Sequence, residues 1–348
     1  MITPWKDYLS PPGRAALYRD CNRRCRSAFE NQRAAIAHIF EARRPAAIAC
    51  LGAGILNDIP YARFIEAGAT VHLVDWLPDI VDLGIASGVI RKSRAGAPEC
   101  LYCRLGHIDA EDYCCNYRRT ETSPAGVCDA FRPDPDAPGW CRAFGRGDLP
   151  HVHRQDVTGG YAEAFGAGVA DKLVGVTSWR QAFKRAIGLA NQVKGQRSRL
   201  AIPDRSIDLV VSSMVISQFE HEPYDYFSKQ AAALLGAPTA QEEVRLRPAM
   251  ETLRKTLVQN QIAGHCDEIA RILAPDGRCF LAFEVFHRAE DGGAWRLVEE
   301  MHGAVAALDR RFDFDIDGCP DLVGDTCFRT NGGRSVVYHL LLAARAGP

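Results

Sequence analysis

Long apolar runs are missing from this sequence of 348 residues. No stretch approaches the roughly 18 consecutive apolar residues that a membrane-spanning helix requires. The N-terminal segment MITPWKDYLSPPGR also has no hydrophobic core of the kind found in secretory signals. We therefore expect a cytoplasmic protein that does not associate with membranes. An excess of one charge is missing too, since the chain has 42 basic and 43 acidic residues, so nothing indicates a general affinity for polyanions.

Internal repeats and long low-complexity segments are absent as well, which excludes a repeat protein and a largely disordered chain. The chain is 47% hydrophobic and long enough to bury a full core, so we expect more than one minimal domain or a single core with insertions.

The most informative stretch is 46 to 76, AAIACLGAGILNDIPYARFIEAGATVHLVDW. Its pattern predicts a strand over 47 to 51, a glycine turn, a helix over 56 to 66 and a strand over 70 to 74 that ends at Asp75. Such a unit can hold a nucleotide-like ligand, because glycines allow close backbone approach and the carboxylate can accept two ribose hydroxyls. Asp75 follows Gly54 by 21 residues, as this geometry requires. The alternative is a tight strand-to-helix turn without a ligand.

A dinucleotide site would need a third glycine at position 57, where the chain has Asn57. The segments LGAGILNDIP and HLVDW instead resemble the class I S-adenosylmethionine-dependent methyltransferases, whose first motif is a strand ending in GxG and whose second is an acidic residue closing the next strand. The resemblance implies a Rossmann-like α/β fold with a seven-stranded, mostly parallel sheet. It also implies that S-adenosylmethionine contacts Gly52, Ala53, Gly54 and Asp75.

Two positions depart from the family pattern. The acidic residue that usually stands two positions before the first glycine is Cys50, and the usual third glycine is Leu56. Both positions normally serve the methionine end of the cofactor, so Asn57 or Asp58 is expected to compensate.

Two further segments fit the resemblance on the adenine side of the cofactor. Trp76 follows Asp75, and in the family the residue at this position often lines the adenine. HVHRQD, residues 151 to 156, is expected to form the third strand, so that Asp156 binds the adenine amino group and the Val157 amide binds a ring nitrogen. The alternatives are that Trp76 packs at the sheet edge and that Asp156 caps a helix or turn.

SIDLVVSSMV, residues 206 to 215, predicts the fourth strand, and VISQFEH follows it. In the family the methyl donor and acceptor meet at this point. The resemblance therefore implies a cofactor contact from Ser212 and an acceptor site that includes His221, Glu222 and Glu284. Aligned methyl transfer needs at most one base, because the sulfonium is already a strong electrophile. The alternative for His221 and Glu222 is a solvated loop.

The last hundred residues continue the alternation of helices and strands. The pattern predicts a helix over 248 to 273, a stop at Pro275-Asp276-Gly277, a strand over 278 to 286 and a helix over 293 to 308. FDFDIDG and SVVYHLLLAA then resemble the antiparallel sixth and seventh strands of the methyltransferase sheet, with a loop containing Cys319 and Cys327 between them. A dehydrogenase would not require this final pair.

Residues 95 to 150 contain six of the thirteen cysteines and no clear period. An irregular stretch of this length usually needs something other than a core to order it. CLYC can supply two thiolates to one metal ion, so we predict a structural zinc held by Cys100, Cys103 and two of Cys114, Cys115, Cys128 and Cys141, with Cys115 and Cys128 as the preferred pair. An unliganded loop and an iron-sulfur or redox role remain alternatives, and His107, His151 or His153 could replace one sulfur.

The sequence thus predicts an N-terminal helical cap over 1 to 45 and a methyltransferase domain over 46 to 348, interrupted by the insertion at 95 to 150. The expected activity is methyl transfer to a small molecule. The rival predictions are an RNA methyltransferase that uses the cysteine-rich module and arginine-rich helices, an NAD-dependent oxidoreductase, and a binding protein without turnover.

Overall fold

The computed structural model describes residues 3–9, 29–54, 56, 58–76, 106–109, 112–115, 120–121, 150–196, 198–219, 221–289, 294, 296–297, 306–315, 324–330 and 333–345. The helices are α1 (Trp5–Leu9), α2 (Glu30–Arg43), α3 (Tyr61–Glu66), α4 (Tyr161–Leu173), α5 (Trp179–Gln192), α6 (His221–Leu235) and α7 (Ala240–Ile272). None of these described helices is both long enough and apolar enough to cross a lipid bilayer.

Most strands belong to one nine-stranded sheet, and three short ones form a separate sheet. The strands are β1 (Ala47–Leu51), β2 (Thr70–Asp75), β3 (Gly106–Asp109), β4 (Asp112–Cys115), β5 (Thr120–Glu121), β6 (His151–Arg154), β7 (Ile207–Ser213), β8 (Leu273–Ala289), β9 (Arg296–Leu297), β10 (Phe312–Phe314), β11 (Gly324–Thr330) and β12 (Gly333–Ala344).

Seven strands of the large sheet lie in the order β10-β12-β8-β7-β1-β2-β6, while β9 and β11 add to β8 and β12. The pairs β7–β8, β1–β7, β1–β2 and β2–β6 are parallel. The last strand, β12, inserts antiparallel between β8 and β10. The predicted seven-stranded, mostly parallel sheet of the methyltransferase type is therefore confirmed.

Successive residues of β1 point to opposite faces of the sheet, and each face has its own core. Ile48 and Cys50 pack with Ile36 and Ile39 of α2 on what we call the α2 face. Ala49 and Leu51 pack on the other face, which we call the α7 face, because α7 covers it with apolar side chains that include Val258, Ile262, Ile269 and Ile272. The near-continuous apolar strands follow from this double coverage.

A third apolar cluster joins α1 to α4, α5 and α6. Trp5 of α1 packs in it against Gly166 of α4, where a Cβ atom would clash with the indole ring. The Thr3 amide donates to Gln230 Oε1 at 2.9 Å, and the Tyr226 hydroxyl donates to the Thr3 carbonyl at 2.8 Å. The N-terminal segment is thus fixed to residues more than 200 positions away.

Helix boundaries follow local capping signals. Ser178 accepts the Gln181 amide at 3.4 Å and caps α5. The predicted start of α7 at 248 is wrong, because Thr239 and Glu242 form a capping box that begins this helix at Ala240. Pro248 lies inside this helix.

Three predicted loops or helices are strands instead. The loop expected around Cys327 contains β11, which pairs antiparallel with β12. The helix expected over 293 to 308 is wrong at Arg296–Leu297, which form β9 against β8. Within the insertion, β3, β4 and β5 form a small antiparallel sheet, although the sequence shows no clear period there. Backbone pairing across these segments outweighs the weak local pattern.

Candidate functional site

The glycine turn after β1 is folded directly against the end of β2. Gly52 and Gly54 have positive φ angles of 67° and 49°, which favour glycine. The amides of Gly52 and Ala53 donate to the Val74 carbonyl at 2.8 and 3.0 Å. A Cβ atom on Gly52 would lie 2.5 Å from Val215 Cγ2, so this glycine is required for space as well as for conformation.

Asp75 is attached to this turn by its side chain. The Gly54 amide donates to Asp75 Oδ2 at 2.9 Å. A carboxylate has about four lone-pair positions, so it can hold Gly54 and also accept ligand hydroxyls. The next residue, Trp76, is half-buried and meets the Trp5 ring edge to face at 5.4 Å between centroids. Trp76 therefore packs against α1, and its predicted contact with adenine stays a prediction.

The two positions that depart from the family pattern have clear structural settings. Leu56 has a φ angle of 56°, which is in the left-handed region that glycine adopts more easily than leucine. Burial raises the pKa of the Cys50 thiol far above its usual range, with the nearby Asp58 charge as the second cause. Burial also raises the pKa of Asp58 to about 6, partly offset by the Ser213 hydroxyl and the Arg33 charge. A carboxyl group is therefore present beside Cys50, although it comes from Asp58.

Asp156 lies directly after β6, as predicted, and both its oxygens accept hydrogen bonds from the turn and helix that follow. The Thr158 amide and hydroxyl donate to Oδ1 at 2.8 and 2.6 Å, and the Glu163 amide donates to Oδ2 at 3.0 Å. Burial raises the pKa of Asp156, and these hydrogen bonds counteract the shift. Asp156 thus caps α4, while its predicted contact with adenine remains untested.

Ser212 forms a buried connection between β7, α7 and the end of β6. The Val157 carbonyl lies 2.8 Å from His265 Nδ1, so this nitrogen must donate. Burial lowers the pKa of His265 to about 4, so the ring is neutral at pH 7 and its Nε2 accepts from the Ser212 hydroxyl at 2.8 Å. Sequence reasoning missed His265, because it lies 53 residues from Ser212 within a helix. The cofactor contacts predicted for Ser212 and Val157 stay predictions.

The three predicted acceptor-site residues lie on two elements. His221 and Glu222 form the first turn of α6, where His221 is exposed and Glu222 is half-buried. Glu284 is half-buried on β8, and its amide donates to the Ser217 hydroxyl at 3.1 Å. His221 and Glu222 follow β7 at the carboxyl edge of the sheet, and Glu284 lies on β8 two residues beyond Ala282, where the pairing with β7 ends. The roles of all three in catalysis stay predictions.

The predicted zinc ligands fall almost entirely outside the described residues. Cys100, Cys103 and Cys128 lie outside them, and only the backbone of Cys115 is described, at the end of β4. Within the described ranges, no group of three histidine, cysteine or acidic side chains is placed to hold a metal ion. The zinc site is thus not shown and stays a prediction.

Three histidines stack on the outer pair of strands, a grouping that the sequence reading did not foresee. The rings of His72 and His151 are 4.8 Å apart between centroids, and His72 Nδ1 lies 2.9 Å from His153 Nε2. Burial, with repulsion from the two neighbouring rings, lowers the pKa of His72 to about 4. At neutral pH the short contact is therefore a hydrogen bond between two uncharged rings.

The predicted cofactor residues meet at one edge of the sheet. The strands β1, β2, β6 and β7 are parallel, so the turn at 52 to 54, Asp75, Asp156 and Ser212 all lie at their carboxyl ends. Ligands of open α/β sheets bind at this edge, where the strand order reverses between neighbouring crossovers.

Comparison with known proteins finds solved structures with similar folds. No protein-family model and no curated protein sequence matches the chain. A TehB-like SAM-dependent methyltransferase from Corynebacterium glutamicum is 10% identical, with 96% of this chain and 100% of that chain covered and a TM-score of 0.38. A SAM-dependent methyltransferase from Aquifex aeolicus is 8% identical, with 94% and 97% covered and a TM-score of 0.35.

The third solved structure is the 1,6-didemethyltoxoflavin-N1-methyltransferase of Burkholderia thailandensis with bound 1,6-didemethyltoxoflavin and S-adenosylhomocysteine. It is 12% identical, with 100% of this chain and 92% of that chain covered and a TM-score of 0.37. Identities and scores this low transfer no residue role and no substrate. The strand order, the antiparallel β12 and the glycine turn bound to Asp75 nevertheless identify the architecture on their own: this chain has the Rossmann-like fold of the class I S-adenosylmethionine-dependent methyltransferases.

Proposed function

We propose that this protein transfers a methyl group from S-adenosylmethionine to a small molecule. The observation that carries the proposal is the hydrogen bond from the Gly54 amide to Asp75, which joins the glycine turn to the carboxylate at the end of β2. In this arrangement Asp75 accepts the ribose hydroxyls, Gly52, Ala53 and Gly54 lie under the cofactor, and Trp76, Asp156 and Val157 surround the adenine. Ser212 lies near the reacting end, with His221, Glu222 and Glu284 as acceptor-site residues.

Asp58 completes the cofactor site in this proposal. S-adenosylmethionine carries a positive sulfonium and an ammonium group, and Cys50 offers a neutral thiol where the family usually has an acid. A buried carboxylate beside it can balance that charge. Because the pKa of Asp58 is about 6, affinity for S-adenosylmethionine should fall as the pH drops below 6. Asp58→Asn should weaken binding at pH 7.5 and remove most of this pH dependence, as measured by calorimetry.

The test of the cofactor is calorimetry with S-adenosylmethionine, S-adenosylhomocysteine and NAD. Asp75→Ala should weaken S-adenosylhomocysteine binding by about 1.5 to 3 kcal/mol, the range for hydrogen bonds to a charged group. Asp75→Asn keeps an oxygen for the Gly54 amide and should lose less. Asp208→Ala is the matched control, since Asp208 accepts the Ala46 and Ala47 amides at the opposite edge of the sheet.

Each rival function predicts a different result. Preferential binding of NAD would support the oxidoreductase, and tight S-adenosylmethionine binding without any methyl transfer would support the binding protein. Methylation of bulk RNA with steeply salt-dependent binding would support the RNA methyltransferase. Equal affinity of wild type and Asp75→Ala for S-adenosylhomocysteine would contradict the assigned cofactor site.

A further inference from the structure

The turn after β6 contains a backbone amide that is available to a ligand. Val157 is half-buried, and in the described part of the chain its amide donates to no protein acceptor. The backbone just before it is fixed, because the Gln155 amide donates to the Asp75 carbonyl at 3.2 Å. The Val157 amide is therefore held beside the end of β2, where it can donate to a ligand or to water.

The peptide that follows Val157 is held at both of its ends. Its N–H group, from Thr158, donates to Asp156 Oδ1 at 2.8 Å. Its carbonyl group, from Val157, accepts from His265 Nδ1 at 2.8 Å. Because a peptide unit is planar, two such bonds fix its orientation. The Val157 amide thus lies between two peptides that are each tied to other parts of the fold.

The His265 ring is itself fixed in position, plane and tautomer. It is 0% exposed, and its Nε2 lies 2.8 Å from the Ser212 hydroxyl. The Phe219 ring meets it edge to face, with 5.3 Å between the centroids. Since the Val157 carbonyl can only accept, the ring proton must be on Nδ1, which leaves Nε2 to accept from Ser212.

His265 is one of three buried polar side chains on the same face of α7, and each of them holds a different segment. Gln261, one turn earlier, donates to the Phe219 carbonyl at 2.6 Å in the loop after β7. Glu268, one turn later, accepts the Leu200 amide at 3.0 Å in the segment before β7. The member that bonds to the turn after β6 is His265, so its effect on this turn can be separated from a general effect of α7.

We propose that His265 is a positioning residue for adenine recognition, which orients the Val157 amide toward a ring nitrogen of the base and so sets the preference of the protein for adenine. The proposal rests on the proposed function, in which the adenine of S-adenosylmethionine lies at this turn. An amide of fixed direction cannot turn away to another acceptor, so a base without that nitrogen leaves it unpaired and binds more weakly. Adenine selection then depends on a buried histidine that does not touch the cofactor.

Calorimetry with S-adenosylhomocysteine and its 1-deaza, 3-deaza and 7-deaza analogues tests this contact. In each analogue a CH group replaces one ring nitrogen of adenine, so the base cannot accept a hydrogen bond at that position. Wild type should bind one of the three analogues about tenfold more weakly than the parent compound, since its amide loses its partner. We call this ratio of affinities the deaza penalty.

Two substitutions of His265 separate the roles of its two ring nitrogens. Asparagine places its amide nitrogen near the position of Nδ1, so His265→Asn keeps a donor for Val157 and should keep the deaza penalty. Glutamine reaches the position of Nε2 instead, so His265→Gln keeps the bond to Ser212 but loses the donor to Val157. Its deaza penalty should fall to about threefold or less, because the amide is no longer oriented.

Gln261→Met is the matched control. It removes a buried bond from the same helix to a backbone carbonyl, but that carbonyl belongs to Phe219 in the loop after β7. This variant is expected to lose stability and to keep the deaza penalty of wild type.

A second measurement needs no substitution. Wild type labelled with 15N-histidine should show by NMR a neutral ring that is protonated at Nδ1 at pH 7.5, and the signal of this ring should be missing from His265→Asn. The absence of any such ring from wild type would overturn the proposal, because a ring protonated at Nε2 cannot donate to the Val157 carbonyl.

The outcomes separate this proposal from the proposed function. A wild type that binds S-adenosylhomocysteine but discriminates against no deaza analogue would overturn the role of the Val157 amide and leave the cofactor in place. Equal penalties in wild type and His265→Gln would also overturn the proposal, and so would a penalty lost equally in Gln261→Met. A wild type that does not bind S-adenosylhomocysteine would refute the cofactor itself, and this inference with it.

Discussion

Acidification should destabilise the fold through His265, the buried ring between Ser212 and Val157. The pKa of this group is about 4 in the folded protein, whereas an unfolded histidine titrates near 6.5. As the pH is lowered, the histidine of the unfolded chain therefore binds a proton before the folded one does. The free energy of unfolding that His265 contributes above pH 6.5 is lost as the pH falls toward 4. At about 1.4 kcal/mol for each pKa unit, the full loss is about 3 kcal/mol.

Other groups also titrate, and the buried carboxyl groups whose pKa is raised, Asp58 and Asp156, act in the opposite direction. The pKa of Asp58 is raised to about 6, so this group binds a proton more readily in the folded protein than in the unfolded chain. The free-energy cost of burying its charge therefore disappears as the pH falls from 6 to 4. His72 adds a loss of the same sign as His265, reduced because its ring is half exposed to solvent. The pH dependence of the wild type alone is therefore a sum of opposing effects.

The difference between wild type and His265→Gln isolates the buried ring. The glutamine can still accept the Ser212 hydroxyl but cannot titrate, so this variant should be less stable at pH 7.5 and should approach or exceed wild type near pH 4.5. Urea unfolding at five pH values from 7.5 to 4.5 measures both curves. Two parallel curves would refute the assigned protonation state of His265, whatever the other groups contribute.

Three further predictions concern other parts of the site. Gly52→Ala should destabilise the protein by more than about 2 kcal/mol in denaturant titrations, because the new Cβ atom clashes with Val215 and the backbone is strained. Gly68→Ala is the control: Gly68 has a φ angle of 77° but no atom within 4 Å, so its substitution should cost only the backbone strain of about 1 kcal/mol. Asp156→Ala should lower the free energy of unfolding by about 1 to 3 kcal/mol and Asp156→Asn by less, since the carboxylate caps α4; no change in either would contradict that cap. Elemental analysis of protein purified without added metal should find close to one zinc per chain, lost in Cys100→Ser, and metal-free wild type with titratable thiols would end the zinc prediction.

Local sequence patterns were sufficient for the strands and turns that form the cofactor edge. The GxG turn, Asp75 and the apolar runs depend on residues close in sequence, so their spacing predicts their geometry directly. The capping box at Thr239 and Glu242 is equally local, since its Thr-x-x-Glu pattern stands in the sequence upstream of the predicted helix start at 248.

Contacts between distant segments could not be predicted in the same way. Ser212 meets His265 only because α7 packs on one face of the sheet, and Ser213 meets a different environment because the next side chain points to the opposite face. His339 lies opposite Ala282 of β8 only because β12 inserts between β8 and β10, and that insertion depends on long-range strand pairing. Hydrophobic periodicity predicts that a strand exists, but it does not predict its partner.

The attachment of α1 has a consequence for the order of folding. Thr3 closes a loop of 227 residues when its amide reaches Gln230. The entropic cost of closing so long a loop is offset by new contacts only when the surface that receives α1 has already formed. Gly166 of α4 and Tyr226 of α6 form part of that surface. The first helix of the chain is therefore among the last to dock, and it can detach locally without unfolding the sheet, which would give its amides weaker hydrogen-exchange protection than those of β1 or β7.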